Sequence, residues 1–180
     1  MDKTDLDRFT AGIEYYRFKN PPARFSFRKR EEYKIDVALS PLVEILAYSM
    51  MPNHFHILLK QIKDGGVSEF ISKLTNSYTR YFNAGNKRSG ALFTGTFKST
   101  PINQEQLSKV SAYIHMEPVK LGLVINPERF PFSSYNEYLG KTGFCEKEVI
   151  MKNFADSNEY QNFTAQNGSY DKSLKSILLD

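Results

Sequence analysis

The sequence predicts a mixed α+β fold in which helices pack on one face of an antiparallel sheet. Residues 43–50 form an apolar run, and residues 54–60 form a second one after the turn-forming pair Pro52 and Asn53. This pattern predicts a β-hairpin. Two segments with apolar side chains at helical spacing follow, at residues 68–83 and from residue 103 onward. Paired strands followed by separate helices favour an α+β fold over an alternating βαβ order.

The composition fits one compact globular domain. The chain has 180 residues, of which 41% are hydrophobic, and a chain of this size can bury a core without cross-links. A net charge of +4 and a pI near 9.0 lean toward polyanionic partners. The single Cys145 excludes a disulfide framework and a multi-cysteine zinc site, and it fits a reducing cytoplasm. No apolar run reaches the roughly 18 residues that a membrane helix needs, and the polar start does not resemble a signal peptide.

The first predicted element is a helix near the start of the chain. Thr4 is expected to cap it, with Asp7 in the reciprocal position, because apolar side chains recur at helical spacing after them. The pair Pro21 and Pro22 is expected to end this helix. Residues 23–40 are charged and mixed in character, and they predict a loop.

Two histidines stand at the start of the second hairpin strand. Successive side chains of a strand point to opposite faces, so His54 and His56 leave the same face. Phe55, Ile57 and Leu59 are then expected in the core. Neutral imidazole is the commonest metal ligand in proteins, so this pair predicts part of a metal site. The alternative is the polar face of an ordinary strand.

Two further helices are predicted after the hairpin. Residues 68–83 carry a broad apolar face that is typical of an amphipathic helix. Asn103 is expected to cap the next helix, with Gln106 in the reciprocal capping position. Pro118 and Gly122 are expected to interrupt that helix.

The helix that begins near residue 103 offers a third metal ligand. Tyr113 and Glu117 are one turn apart on one helix face, beside the apolar stripe that faces the sheet. A carboxylate from Glu117 beside two imidazoles forms a site for Mg²⁺ or Mn²⁺, and Zn²⁺ also fits these ligand types. The alternative for Glu117 is a solvated surface charge.

Tyr113 is a candidate nucleophile. Tyrosine is among the side chains that form covalent intermediates, and this one would lie beside the cation. The alternative is a tyrosine at the helix–sheet boundary with a hydrated hydroxyl. His115 lies roughly opposite Tyr113 around the helix and is expected to be a surface or loop-contact residue.

Basic and aromatic side chains are interleaved in the second half of the candidate domain. The basic residues are Arg80, Lys87, Arg88, Lys98 and Lys120, and the aromatic ones are Tyr78, Tyr81, Phe93 and Phe97. A groove for single-stranded nucleic acid combines cations for phosphates with rings for base stacking. The alternative is a set of core-facing rings with solvated cations between them.

Four blocks within residues 43–140 occur in an order that one protein family shares. Residues 51–56 read Met-Pro-Asn-His-Phe-His, and residues 113–120 read Tyr-Ile-His-Met-Glu-Pro-Val-Lys. The other two blocks are residues 93–99 and 130–140. Together they resemble the single-tyrosine HUH transposases of insertion-sequence type, and among these the REP-associated tyrosine transposases and their transposase-like bacterial relatives.

The resemblance implies a ferredoxin-like α+β domain over residues 1–140, followed by a helical or irregular appendage over residues 141–180. It also implies metal-dependent nicking and strand transfer of single-stranded or hairpin DNA, as in DNA transposition and recombination. His54 and His56 would hold Mg²⁺ or Mn²⁺ with Glu117 as a third ligand, and Tyr113 would form a 5′-phosphotyrosine. Such a protein would work at the nucleoid in the cytoplasm, as a monomer or a homodimer.

Two features depart from the family pattern. Many relatives have Asn where this chain has Glu117, and a carboxylate is the stronger metal ligand. Family members usually begin with a strand and a turn before the first helix, whereas this chain starts almost at the helix. Either the start is truncated or the sheet lacks the first strand. Two other functions therefore stay open: a DNA-binding protein of the same fold with impaired chemistry, and an unrelated His-x-His metalloenzyme that acts on small molecules.

Overall fold

The computed structural model describes residues 2–19, 25 and 40–168, and it confirms the predicted α+β class with an antiparallel sheet. The chain divides into two compact units. The first comprises Met1–Glu44 and Lys60–Phe97, and the second comprises Ile45–Leu59 and Lys98–Asp180. Pro21, Pro22 and nearly all of the loop predicted at residues 23–40 lie outside the described residues. No helix in the described ranges is both long and apolar enough to span a membrane.

Helix α1 (Lys3–Tyr16) opens the first unit and begins earlier than predicted. Its N-cap is Asp2, whose carboxylate accepts a hydrogen bond from the backbone N–H of Asp5 at 2.8 Å. The Asp5 carboxylate accepts one from the backbone N–H of Asp2 in return. The predicted cap at Thr4 is therefore wrong, because the aspartate pair at residues 2 and 5 satisfies the first backbone donors.

Helix α2 (Gly66–Gly85) packs against α1 in this unit. The ring of Phe9 meets that of Tyr78 edge to face, with centroids 5.0 Å apart. The helix starts two residues before the predicted position because Gly66 can approach the backbone closely. A Cβ at Gly66 would lie 2.4 Å from the carbonyl oxygen of Leu42, so a larger residue does not fit there.

The predicted hairpin is confirmed as strands β1 (Val43–Met50) and β2 (Phe55–Gln61). The backbone N–H of Met51 donates to the carbonyl of His54 across the turn, at 2.9 Å. On the other side of β1, the N–H of Met50 donates to Phe132 and the N–H of Ser134 donates to Tyr48. These bonds cover part of an edge that would otherwise be open to pairing with another chain.

The histidine face of β2 is also its most buried face. Leu58 lies on the same side as His56 and is 5% exposed, and it joins a core cluster in the second unit. The prediction that the opposite face forms the core is wrong, since its members are only half-buried; they are Phe55, Ile57 and Leu59. Hydrophobicity alone favoured that face, but the helix described next covers the other one.

Helix α3 (Leu107–Lys120) follows a short 3₁₀ turn, Gln104–Gln106. The predicted capping box is confirmed: the Asn103 side chain accepts from the N–H of Gln106, and the Gln106 side chain accepts from the N–H of Asn103. Gly122, at a φ of 68°, terminates the helix as predicted. There the N–H groups of Gly122 and Leu123 donate back to Val119 and Pro118.

Pro118 does not interrupt α3, contrary to the prediction. It lies inside the last turn of the helix, where it removes one backbone donor. The helix continues past it because Leu121 donates to the carbonyl of Glu117 at 3.0 Å. Glu117 and Lys120 are therefore both helical residues.

The rest of the second unit consists of short elements around this core. They are the 3₁₀ turn Pro127–Arg129 and helices α4 (Tyr135–Tyr138), α5 (Glu148–Met151) and α6 (Ser157–Asn167). The core cluster comprises Leu46, Ala47, Leu58, Val110, Tyr113, Ile114, Tyr135, Tyr138, Ile150 and Tyr160. Residues beyond 140 thus contribute to this core, and the predicted domain division at residue 140 stays a prediction.

His115 is fully buried, so of its two expected positions the surface one is wrong and the loop contact is found, with Ser134. The hydroxyl of Tyr160 donates to Ser111 Oγ at 3.0 Å. It can then accept from Nδ1–H of His115 at 2.8 Å, while Nε2 accepts from the Ser134 hydroxyl at 2.8 Å. This arrangement satisfies a neutral imidazole, and burial lowers the pKa of His115 to about 3.

We predict that His115 makes the protein less stable in acid. The unfolded histidine takes up a proton below a pKa of about 6.5, whereas the folded one stays neutral to about 3, so stability falls as pH decreases through this window. Between pH 7 and pH 5 this residue alone should remove about 2 kcal/mol of unfolding free energy. Urea unfolding at both pH values, with EDTA present, measures the loss.

The variant His115→Phe should lack this component of the pH dependence. Tyr160→Phe is the matched control, because it removes a hydrogen-bond partner of His115 and keeps the titrating ring. It should lower stability at both pH values and retain the slope. An identical pH slope in wild type and His115→Phe would contradict the prediction.

Candidate functional site

His54 and His56 lie at the beginning of β2 in the second unit, with their rings in contact. The ring centroids are 5.2 Å apart and the planes are nearly perpendicular, at 79°. His54 is the last residue before the strand and His56 is its second residue. Their side chains are 35% and 21% exposed, so both rings remain open to solvent on one side.

Glu117 reaches both imidazoles from the last turn of α3. Glu117 itself is only 5% exposed. Oε1 lies 3.2 Å from Nε2 of His54, and Oε2 lies 2.8 Å from Nε2 of His56. The structure therefore brings together the three residues that the sequence suggested as metal ligands, each with one ligand atom within 4.8 Å of the others.

The shorter contact does not have the geometry of a well-aligned hydrogen bond. His56 Nε2 and Glu117 Oε2 are 2.8 Å apart, yet both atoms are buried without a hydrogen-bond partner of acceptable geometry. Two buried polar atoms in this state have lone pairs available for a cation.

The donor set fits a divalent metal ion. A metal ion bound at about 2.1 Å holds its ligand atoms about 3–4 Å apart, and the three residues already place one ligand atom each within 4.8 Å of the others. One carboxylate and two imidazoles suit Mg²⁺ or Mn²⁺ when water or substrate oxygens complete the shell, and they also suit Zn²⁺.

Glu117 is ionised over the whole physiological range. Burial raises the pKa of Glu117, but the contacts with His54 and His56 outweigh burial and bring it to about 2. The site therefore presents a charged carboxylate at neutral pH, without any need to remove a proton from it.

Asn53 is a site residue that the sequence analysis treated only as part of a turn. Its side-chain oxygen accepts a hydrogen bond from Nδ1 of His54 at 2.8 Å. With Nδ1–H held in this way, Nε2 is the nitrogen that faces Glu117 and would hold a metal ion. The sequence feature that could have identified Asn53 is its amide side chain directly before a candidate ligand.

Tyr113 lies one turn before Glu117 and is 4% exposed. Its ring meets the ring of His56 edge to face, with centroids 6.0 Å apart and an angle of 78°. Lys120 places its Nζ 3.5 Å from the centroid of the same ring. The structure thus brings the candidate nucleophile to the candidate metal ligands.

The other basic residues that were predicted to bind nucleic acid are all exposed, and they differ in their contacts. The Arg88 guanidinium donates to Asn83 Oδ1 at 3.0 Å and to the carbonyl of Ala91 at 3.2 Å, so it braces its own loop. Arg80, Lys87 and Lys98 are surface side chains. Among the aromatic residues, Tyr78 is 2% exposed and belongs to the core of the first unit.

Comparison with known proteins identifies one family. No curated protein and no solved structure matches the chain significantly. A model of the family described as "Transposase IS200 like" matches residues 28–117, which is half of the chain and includes His54, His56, Tyr113 and Glu117. The chain therefore belongs to the IS200-like transposase family.

Proposed function

We propose that this chain nicks single-stranded, hairpin-forming DNA and transfers the cut strand through a 5′-phosphotyrosine at Tyr113. The proposal rests on the proximity of Tyr113 to the three candidate ligands within one compact unit; these ligands are His54, His56 and Glu117. Membership of a transposase family supports DNA nicking as the reaction class. One chain supplies all four residues, which supports cutting by a monomer.

The proposed chemistry conserves the energy of the phosphodiester bond. The phenolic oxygen of Tyr113 attacks phosphorus, an O–P bond forms, and the bond from phosphorus to the 3′-oxygen breaks. The proton lost by the phenol is balanced by the proton gained by the departing 3′-hydroxyl. A 3′-hydroxyl can later attack the phosphotyrosine and rejoin the strand without an external energy source.

The proposed cofactor is Mg²⁺ or Mn²⁺, held by His54, His56 and Glu117. When bound, it would neutralise charge on the non-bridging phosphate oxygens and polarise the phosphate for attack. The protein contributes a carboxylate that is already ionised and a His54 ring whose ligand nitrogen is fixed by Asn53.

The exposure of the site favours a large substrate over a small molecule. An enzyme for small molecules encloses its ligand in a deep apolar pocket, whereas His54 and His56 remain 35% and 21% exposed. A DNA strand can reach the exposed sides of these two imidazoles directly. Arg80, Lys87 and Lys98 are proposed phosphate contacts, since exposed cations supply most of the salt-dependent affinity for nucleic acid. We place this activity at the nucleoid in the cytoplasm.

We predict that wild-type protein forms a covalent adduct with a single-stranded hairpin oligonucleotide in the presence of Mn²⁺. Denaturing gel electrophoresis detects the adduct, and peptide mass spectrometry locates the phosphotyrosine. Tyr113→Phe should reduce adduct formation by at least about a thousandfold, because it removes the attacking oxygen. Tyr16→Phe, at a tyrosine of α1 in the first unit, is the matched control and should retain activity.

Two results would decide against the proposal. An equal yield of adduct from Tyr113→Phe would show that another residue attacks. Salt-dependent DNA binding without any adduct across a panel of hairpin sequences and metals would favour the alternative, a DNA-binding protein with impaired chemistry.

We predict that Glu117→Gln weakens Mn²⁺ binding by at least about tenfold, because the neutral amide is a poorer ligand for a hard cation. Isothermal titration of DNA-free protein with Mn²⁺ measures the affinity. Glu105→Gln, at an exposed position just before α3, should bind like wild type. Equal affinity of both variants would remove Glu117 from the ligand set.

We also predict that Asn53→Ala lowers Mn²⁺ affinity by about tenfold, because the partners that orient a ligating imidazole contribute to metal binding. The reason is the loss of the bond that fixes the proton of His54 on Nδ1. Asn53→Asp should restore binding, since a carboxylate accepts the same hydrogen bond. Failure of the aspartate variant to recover affinity would argue against this role.

A further inference from the structure

Lys120 occupies a special position relative to the nucleophile. It follows Tyr113 by two helical turns and therefore lies on the same face of α3. Its Nζ stands 3.5 Å from the centroid of the Tyr113 ring, well within the range of a cation–π contact. Lys120 is exposed, whereas the ring beneath it is only 4% exposed.

The Tyr113 ring is thus contacted by two different groups at the candidate site. The imidazole of His56 meets it edge to face at 6.0 Å between centroids. The ammonium of Lys120 lies over the ring. Two contacts of this kind restrict the rotation of the side chain, and a nucleophile held in one orientation loses less entropy when it attacks.

The contact also changes in strength as the reaction proceeds. A neutral phenol offers the cation only the weak negative potential of its π face. When the hydroxyl loses its proton and attacks, part of the negative charge spreads into the ring. A cation over the face then interacts with a net charge, so it stabilises the transition state more than the ground state.

We propose that Lys120 is a positioning residue for Tyr113, which holds the ring in place and stabilises the charge that the ring acquires during attack. This inference rests on the proposed function of Tyr113. It assigns Lys120 a different role from that of the other exposed cations, which are proposed to meet DNA phosphates. A phosphate contact by Lys120 is the competing explanation, and the two make different predictions.

The test compares Lys120→Met, Lys120→Arg and Lys109→Met. Methionine keeps an unbranched side chain without the charge, arginine keeps the charge and stacks on aromatic faces, and Lys109 is an exposed lysine of the same helix. Adduct formation is followed in single-turnover experiments at saturating DNA with Mn²⁺. DNA affinity and its salt dependence are measured separately by anisotropy in a Tyr113→Phe background.

Lys120→Met should slow adduct formation about tenfold, with unchanged affinity and salt dependence. Lys120→Arg should stay within about threefold of wild type, and Lys109→Met should match it. An unchanged rate in Lys120→Met would overturn the proposal. A lower DNA affinity with a salt slope lower by about one, and a rate that returns to that of wild type once DNA saturates the variant, would overturn it in favour of a phosphate contact.

A readout independent of activity separates this inference from the proposed function. With 3-fluorotyrosine incorporated, the fluorine resonance that disappears in Tyr113→Phe reports the surroundings of this ring. The chemical shift of this resonance should change in Lys120→Met and stay the same in Lys109→Met. An unchanged chemical shift in Lys120→Met would overturn the contact itself. Absence of any adduct from wild type would instead overturn the proposed function, and the resonance would still decide the contact.

Discussion

A negative charge at Glu117, almost wholly buried in the last turn of α3, is the constraint on which the candidate site depends. A buried carboxylate is costly unless cations or hydrogen-bond donors compensate it. Here the imidazoles of His54 and His56 do so, and they outweigh burial enough to hold the pKa near 2. The helix and the hairpin of the second unit are therefore joined by an electrostatic contact as well as by the apolar cluster around Leu58.

The opposite side of α3 is held by hydrogen bonds to a buried histidine. His115 is locked as a neutral ring between hydroxyl groups of Tyr160 and Ser134, which come from later parts of the chain. Such a satisfied polar network fixes the rotation of a helix more narrowly than apolar packing does, because hydrogen bonds are directional. With the helix fixed in this way, Tyr113 and Glu117 face the histidines.

Local periodicity was sufficient to predict which side chains share a face, whereas the combination of the two pairs into one site rested on the resemblance to a family. The spacing of His54 and His56 follows from the strand, and that of Tyr113 and Glu117 from the helix. The covered face of β2 was not predictable in this way, since Phe55, Ile57 and Leu59 are more apolar than the histidine face. The burial of His115 depends on partners 19 and 45 residues away, and α3 includes Pro118 although this residue removes a backbone donor.

Because the two faces of β2 differ, the turn at residues 51–54 must set the pairing register of the hairpin correctly. A slip of one residue in the pairing would exchange the two faces of the strand and bring its more apolar side chains toward α3. That competing register would lose both imidazoles together. A cation that binds at His54, His56 and Glu117 only in the correct register would favour that register by mass action, so binding at the site and the choice of strand register would be thermodynamically coupled.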